Sequence, residues 1–527
     1  MAHTPLLQRL QAVCAALAAQ SPTAEATAAA PAALTRREWV GGAAALGALA
    51  ACGPIEATTG IASAARTPAT HDEDEVAVVG AGLAGLVCAH RLAGAGVRAR
   101  VYEASGRVGG RCHTRRGDFA DRQIAEHGGE LIDQSHTATR HLALELGLAL
   151  DNVLRAEPSG TEPFYHFSGR PYSYAEATRD MRAVWQRLHE DAVAAGYPTL
   201  YTSFTARGRE LDRMSIGQWI ADRVPGGRAS RLGRLLETAY VIEYGAEVDD
   251  QSALNLVYLM AYSGQGQLRL FGPSNEKYHV RGGNDLIVSA LAARLGGRVT
   301  TGAPLRRLVR EADGRYVLGF GGRADVVAGR VVLALPFSIL RTLDIARAGF
   351  GPAKLAAIHE LGMGANTKLN VQFDRRHWHA LGNNGDSFAD TGYQATWEVS
   401  RAQAGGAGIL VAYSGGDHAR ASNGDPSTLA RAFLREIEPV LPGIGARWNG
   451  RATLDYWPGH RWTRGAYSYY RVGQYTRFGG AEAEVSGGCH FAGEHTSTDS
   501  QGYLNGAVES GERAASEIVA ARRADRG

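Results

Sequence analysis

Gly80-Ala81-Gly82-Leu83-Ala84-Gly85 sets three glycines at the G-x-G-x-x-G spacing, directly behind the apolar run Val76-Ala77-Val78-Val79. In a strand-to-helix turn of this kind the first glycine permits the bend and the second lets backbone approach a diphosphate. The third lets helix and strand pack closely. Leu83 and Ala84 then open a helix whose free N–H groups and positive dipole end face the diphosphate. Glu103, followed by Ala104, closes the next apolar run, at about the 20-residue distance where a carboxylate accepts hydrogen bonds from ribose hydroxyls. In a chain with 67 glycines the spacing alone could arise by chance. Strand, helix, strand and terminal acid in register make it a dinucleotide site. An acid at this place disfavours a 2′-phosphate, which argues against NADP and leaves NAD and FAD open.

Other residues of chemical interest lie far from this turn. Lys368, in Asn366-Thr367-Lys368-Leu369-Asn370-Val371, interrupts a strand pattern read as otherwise apolar, and a lysine is costly to bury without partners. The cysteines, Cys14, Cys52, Cys88, Cys112 and Cys489, form no C-x-x-C pair and have no histidine-rich spacing, so no metal site and no disulfide framework is expected. A net charge of +3, from 56 basic and 53 acidic residues, leaves no excess that would recommend nucleic acid as a partner.

The elements that must hold these residues follow from periodicity. Residues 75–103 read as one βαβ unit with parallel strands. The middle of the chain turns helical, with Met181, Val184, Trp185 and Leu188 on one face. A second set of β-rich runs follows Gly282-Gly283, and the end is a strand, a glycine-rich turn and a last helix. At 527 residues the chain exceeds what one core usually supports. The expected class is α/β, a Rossmann-like dinucleotide-binding domain (75–150, 274–337 and 456–520) interleaved with an α+β substrate-binding domain (151–273 and 338–455).

Arg107-Val108-Gly109-Gly110-Arg111, Glu126-His127-Gly128-Gly129-Glu130, Phe491 to Ser497 and Gly502 to Gly511 together resemble the motifs of flavin monoamine oxidases and L-amino-acid oxidases, over residues 75–520. The resemblance implies FAD as cofactor. It assigns to FAD binding Gly80, Gly82, Leu83, Ala84, Gly85, Glu103, Ala104, Arg107, Gly110, Arg111, Gly128, Gly129, Glu130, Leu305, Gly493, Glu494, Gly502 and Tyr503. It implies that Lys368 holds a water against the flavin, that Trp457 packs on the flavin, and that Tyr467 and Tyr503 flank the substrate amine. Ala466 stands where covalent members carry the attaching cysteine, so FAD is expected to be noncovalent. The implied reaction is oxidative deamination with dioxygen as acceptor and hydrogen peroxide as product. An L-amino-acid oxidase is the alternative: Leu131 replaces the arginine of snake-venom-type members, Arg464 is a substitute candidate, and Glu243-Tyr244-Gly245 with Gln251 to Leu256 resembles exported bacterial amino-acid oxidases. A noncatalytic flavin-binding protein is the remote alternative, and self-association is left open.

Leu34-Thr35-Arg36-Arg37-Glu38-Trp39 followed by uncharged Val40 to Ala51 looks like a twin-arginine export signal over residues 1–52, too short to span a bilayer. Leu49-Ala50-Ala51-Cys52 resembles a lipoprotein box that would lipidate Cys52, with residues 53–74 as a linker. The expectation is a periplasmic or otherwise extracytoplasmic enzyme, with anchoring through a lipidated Cys52 left open.

Overall fold

In the computed structural model, residues 75–525 are described, apart from 262–263 and 265–266. The export segment, Cys52 and the linker lie outside the described residues. β1 (Val76–Val79), α1 (Leu83–Gly94) and β2 (Ala99–Tyr102) form the βαβ unit, the two strands running parallel in full register. Every β1 residue is buried, as in a strand covered on both faces. After these come β3 (Glu162–Phe167), β4 (Arg170–Tyr172), α2 (Tyr174–Ala195) and α3 (Arg231–Tyr244). The strands β5 (Val299–Thr300), β6 (Val331–Leu333), β7 (Asn366–Phe373), β8 (Asn383–Ala389), β9 (Ala395–Glu398), β10 (Gly408–Gly415), β11 (Trp448–Tyr456) and β12 (Cys489–Phe491) precede the final helix α4 (Leu504–Ala524).

Five of these strands make an all-parallel sheet in the order β12–β6–β1–β2–β5. Segments from both ends of the chain therefore share one sheet. α4 packs on α1 at Gly511, where a Cβ would stand 2.5 Å from the Ala84 carbonyl oxygen; only glycine admits so close an approach. Their shared core includes Leu86, Val87, Val508 and Ile518.

The second sheet runs β11–β7–β10–β9–β8–β3–β4 and is antiparallel except where β8 meets β3. α2 starts on a Ser173–Glu176 capping box and buries Met181, Val184, Trp185 and Leu188, the face expected from its periodicity. β7 is buried throughout, yet it is not the apolar strand that was read. Leu369, Val371 and Phe373 face a hydrophobic core, while Lys368 and Gln372, on the alternate face, bond to the segment 120–130. The architecture is α/β, a Rossmann-like parallel sheet joined to an α+β substrate-binding part.

Candidate active site

A cavity of about 770 Å³ is lined both by the β1–α1 turn and by residues of the second sheet. On the turn, Gly80 has φ +106° and a Cβ there would lie 2.5 Å from the Ala334 carbonyl oxygen. Gly82 differs: a Cβ would meet no protein atom within 4 Å, so this glycine opens onto the cavity it lines. α1 begins with no side-chain cap, leaving its first N–H groups free beside Leu83 and Ala84 on the cavity wall. α4 likewise begins, after Tyr503, with no side-chain cap, and Leu504 and Ala507 line the same space. Two free helix starts and a glycine wall suit a large anionic cofactor such as the diphosphate of FAD.

Glu103 and Ala104 line the cavity beyond β2. The Glu103 carboxylate accepts the N–H of Ala81 and of Ser105, both at 2.8 Å. It thus pins the glycine turn, and each oxygen keeps a lone pair for a ribose hydroxyl. Arg107 turns back on its own loop, to the carbonyls of Val108 (3.2 Å) and Gly110 (2.9 Å). Arg111 donates to the Ala466 carbonyl and to Glu494 Oε1, both at 2.7 Å. Glu494 in turn accepts Ser468 Oγ (2.7 Å) and the Gly502 N–H (2.9 Å). Burial raises the Glu494 carboxyl, but Arg111, His495 and Ser468 more than reverse this and hold it below the ordinary carboxylate range. Glu494 is therefore the knot tying the two cofactor-facing ends of the chain. Gly128 and Gly129 close the wall, since a Cβ would come within 2.1 Å of the Arg111 carbonyl oxygen in the first case and 2.8 Å of Leu504 in the second. Gly110, Gly493 and Gly502 also line the cavity.

Two expected cofactor residues sit elsewhere. Gly85 does not line the cavity; a Cβ there would lie 2.0 Å from the Gly80 carbonyl oxygen, so it serves helix–strand packing. Leu305 is buried in the core with Tyr102, Leu318 and Phe320 and is not among the lining residues. An apolar side chain at the start of its strand pointed inward, with no local sign of which surface it would meet.

Lys368 reaches the cavity from β7 and is 4% exposed. Its Nζ donates to Glu130 Oε2 at 2.6 Å and to the carbonyls of Gly128 (3.0 Å) and Glu126 (3.3 Å). Glu130, expected to bind the cofactor, lines the cavity, and its carboxylate also serves Lys368 and the Trp397 indole, 3.0 Å away. Burial raises the Glu130 carboxyl, and Lys368 and Trp397 outweigh that and keep it ionised below its usual range. Trp457 packs against Gly128, its indole donating to the His127 carbonyl at 2.8 Å.

Tyr467 and Tyr503 both line the cavity. The Tyr467 hydroxyl donates to the Ile242 carbonyl at 3.1 Å and pairs with the Tyr413 hydroxyl at 2.9 Å. Tyr503 donates to Glu243 Oε1 at 3.0 Å. Sequence reasoning gave no role to Glu243, nor to Glu276, Asp386, Trp397 and Tyr413, which share this wall. Glu243 alone left a trace: an acid in the last turn of a helix opposes the macrodipole. Among the described residues, none of Glu243, Glu276 and Asp386 has an ion-pair partner, and Asp386 Oδ1 is buried without a hydrogen bond. Leu131 lines the cavity, whereas Arg464 is exposed and does not. Arg464 is therefore no substitute for the missing arginine.

Known proteins share this architecture and sequence. The cyclohexylamine oxidase of Brevibacterium oxydans superposes with a TM-score of 0.76 at 20% identity, over 86% of this chain and all of that one. AofH of Mycobacterium tuberculosis H37Rv, named as a flavin-containing monoamine oxidase, is 30% identical over 85% of this chain and 96% of its own. The flavin-dependent L-tryptophan oxidase RebO of Lentzea aerocolonigenes is 27% identical over 83% of this chain and 96% of its own. The model of the flavin containing amine oxidoreductases matches residues 83–519, and with FAD as its cofactor the chain belongs to that family.

Proposed function

We propose that this flavin amine oxidase acts on an amine without a carboxylate, in preference to an L-amino acid, and holds FAD noncovalently. The observation that carries the substrate reading is that the wall offers acids and no uncommitted cation. Among the described residues Glu243, Glu276 and Asp386 line the cavity with no ion pair in contact, while its cations are committed: Lys368 to Glu130, Arg111 to Glu494 and Arg107 to its own loop. Arg401 is buried outside the lining, paired with Glu157 at 2.6 Å, and its charge is further answered by Asp386 and Glu276. A substrate carboxylate would find no free cation to answer it, whereas an ammonium would find acids able to take up its charge or its proton.

Bound FAD supplies the hydride acceptor for the substrate carbon and, with dioxygen, the route to hydrogen peroxide. The protein's part is to bind, orient and dry the amine. Tyr467 and Tyr503, each hydroxyl tied to the segment 242–243, hold ring faces that exclude water and attract nitrogen. An alkylammonium with an ordinary pKa of about 10.4 must lose its proton before its C–H bond becomes hydridic, and desolvation between rings moves that pKa in the required direction. The Lys368 ammonium spends its three N–H donors on oxygens of the wall, so a water would be held in place of the longest of these contacts, the 3.3 Å one to the Glu126 carbonyl. Ala466 has no sulfur to form a thioether, which supports noncovalent attachment. Anaerobic tyramine should bleach the flavin absorbance of the purified enzyme, and air should restore it. A flavin that L-tyrosine bleaches and tyramine does not would reject the substrate reading. For the leader, the paired arginines and the Cys52 box support export by the twin-arginine route and lipid anchoring.

A further inference from the structure

We propose that Glu243 is the group that takes the proton from the substrate ammonium, an assignment that rests on the amine reading above. The carboxylate lies on the wall of the cavity that also carries Tyr467 and Tyr503. α3 brings Glu243 to the cavity in its last turn, and the chain leaves the helix at Gly245, φ +64°, where a Cβ would fall 2.2 Å from Asn366 Oδ1. The turn is locked further by Asn366 Nδ2 and the Tyr467 hydroxyl, which both donate to the Ile242 carbonyl, at 2.8 and 3.1 Å. Both tyrosines expected to flank the amine thus send their hydroxyls to residues 242 and 243, and Glu243 stands at the hydroxyl end of the pair.

The carboxylate is poised rather than neutralised. Its only hydrogen-bonding partner among the described residues is the neutral Tyr503 hydroxyl, which leaves three of about four lone-pair positions open. The ionisable groups that face it are the acids Asp133 and Glu276 and the tyrosines 240, 244, 413, 467 and 503. None is a cation. Asp133 is itself engaged by Ser274, by the N–H groups of Asn275 and Glu276, and by His136 at 3.3 Å. Burial first, and the Asp133 charge in addition, push Glu243 up to about 8, with the Tyr503 hydrogen bond pulling the other way. The adverse helix end acts in the same upward direction.

In the step itself an O–H bond forms on Glu243 as one N–H bond of the ammonium breaks. The electron pair of that bond stays on nitrogen as the lone pair that the oxidation needs. Ammonium plus carboxylate become neutral amine plus carboxylic acid, with no change of oxidation state, and Glu243 returns the proton to water when product leaves.

Glu243→Gln keeps an oxygen to accept the Tyr503 hydrogen bond and removes only the base, so it separates proton transfer from support of Tyr503. The test compares kcat/KM for 2-phenylethylamine with that for its β,β-difluoro derivative, whose weakly basic nitrogen is already neutral, at about pH 8 in both enzymes, with FAD content measured alongside. Loss of the base should lower kcat/KM for 2-phenylethylamine by about a hundredfold and leave the difluoro amine within about a factor of three. The variant's profile for 2-phenylethylamine should climb with pH until the amine's own pKa. An equal loss for both amines, or a profile that keeps the wild-type shape, overturns the assignment of Glu243 and leaves the amine reading standing. A wild-type enzyme that turns over L-phenylalanine and neither amine overturns both.

Discussion

At the scale of single residues the site is governed by which charges are answered from within. Lys368 and Glu130 answer each other at 2.6 Å in a nearly dry setting, and breaking such a pair strands a charge at about 3–5 kcal/mol. Lys368→Met is therefore expected to lower thermal stability and to slow flavin reduction, reoxidation or both, while FAD stays bound. Adding Glu130→Gln should recover stability without the rate; stopped-flow traces equal to wild type in both half-reactions would remove Lys368 from the chemistry. Glu103→Ala removes the carboxylate that pins Ala81 and Ser105. A charged hydrogen bond is worth about 1.5–3 kcal/mol, so the FAD dissociation constant should rise roughly tenfold or more, and equilibrium dialysis showing no change would contradict the role.

At the scale of elements the β1–α1 turn separates two jobs that three glycines share. Gly85→Ala places a Cβ 2.0 Å from the Gly80 carbonyl oxygen and should destabilise the apoprotein by about 1–3 kcal/mol. Gly82→Ala meets no protein atom, so it should leave the apoprotein's melting temperature alone and weaken FAD binding. Equal effects of the two on apo stability would contradict this division. The turn was legible in the sequence because its signals are local: an apolar strand, spaced glycines and an acid within one βαβ unit. The face of β7 was not, because strand periodicity shows that sides alternate and not what covers each side. Glu243, Glu276 and Asp386 were not legible as a wall, since they come from three distant segments that only the packing of α3 and β8 with the chain near 276 brings to one cavity. Leu305 and Arg464 were misplaced for the same reason, being assigned by position along the chain without knowledge of where their side chains point.

At the scale of the molecule, burial ties stability to pH. His495 is 3% exposed, its ring nitrogens have no hydrogen-bond partner among the described residues, and its ring lies 4.4 Å from that of Phe337. Burial drives its pKa from 6.5 down to about 3. The unfolded chain therefore binds a proton that the folded one refuses, and stability should fall as pH drops from 6.5 towards 3. The depressed Glu494 acts in the same direction, its stabilisation being present above the ordinary carboxylate pKa and lost in acid. His495→Leu should flatten the melting temperature against pH over that window; an unchanged slope would contradict the assignment. For the proposed export route, Arg36→Lys with Arg37→Lys should trap precursor in the cytoplasm, and Cys52→Ser should release exported enzyme from membranes. The central claim, that an amine and not an amino acid is the substrate, is tested most directly by hydrogen peroxide release with tyramine against L-tyrosine. A carboxylate brought unpaired to a wall that already carries Glu243, Glu276 and Asp386 costs several kcal/mol, so kcat/KM should favour tyramine by about a hundredfold or more. A kcat/KM that favours L-tyrosine would contradict it.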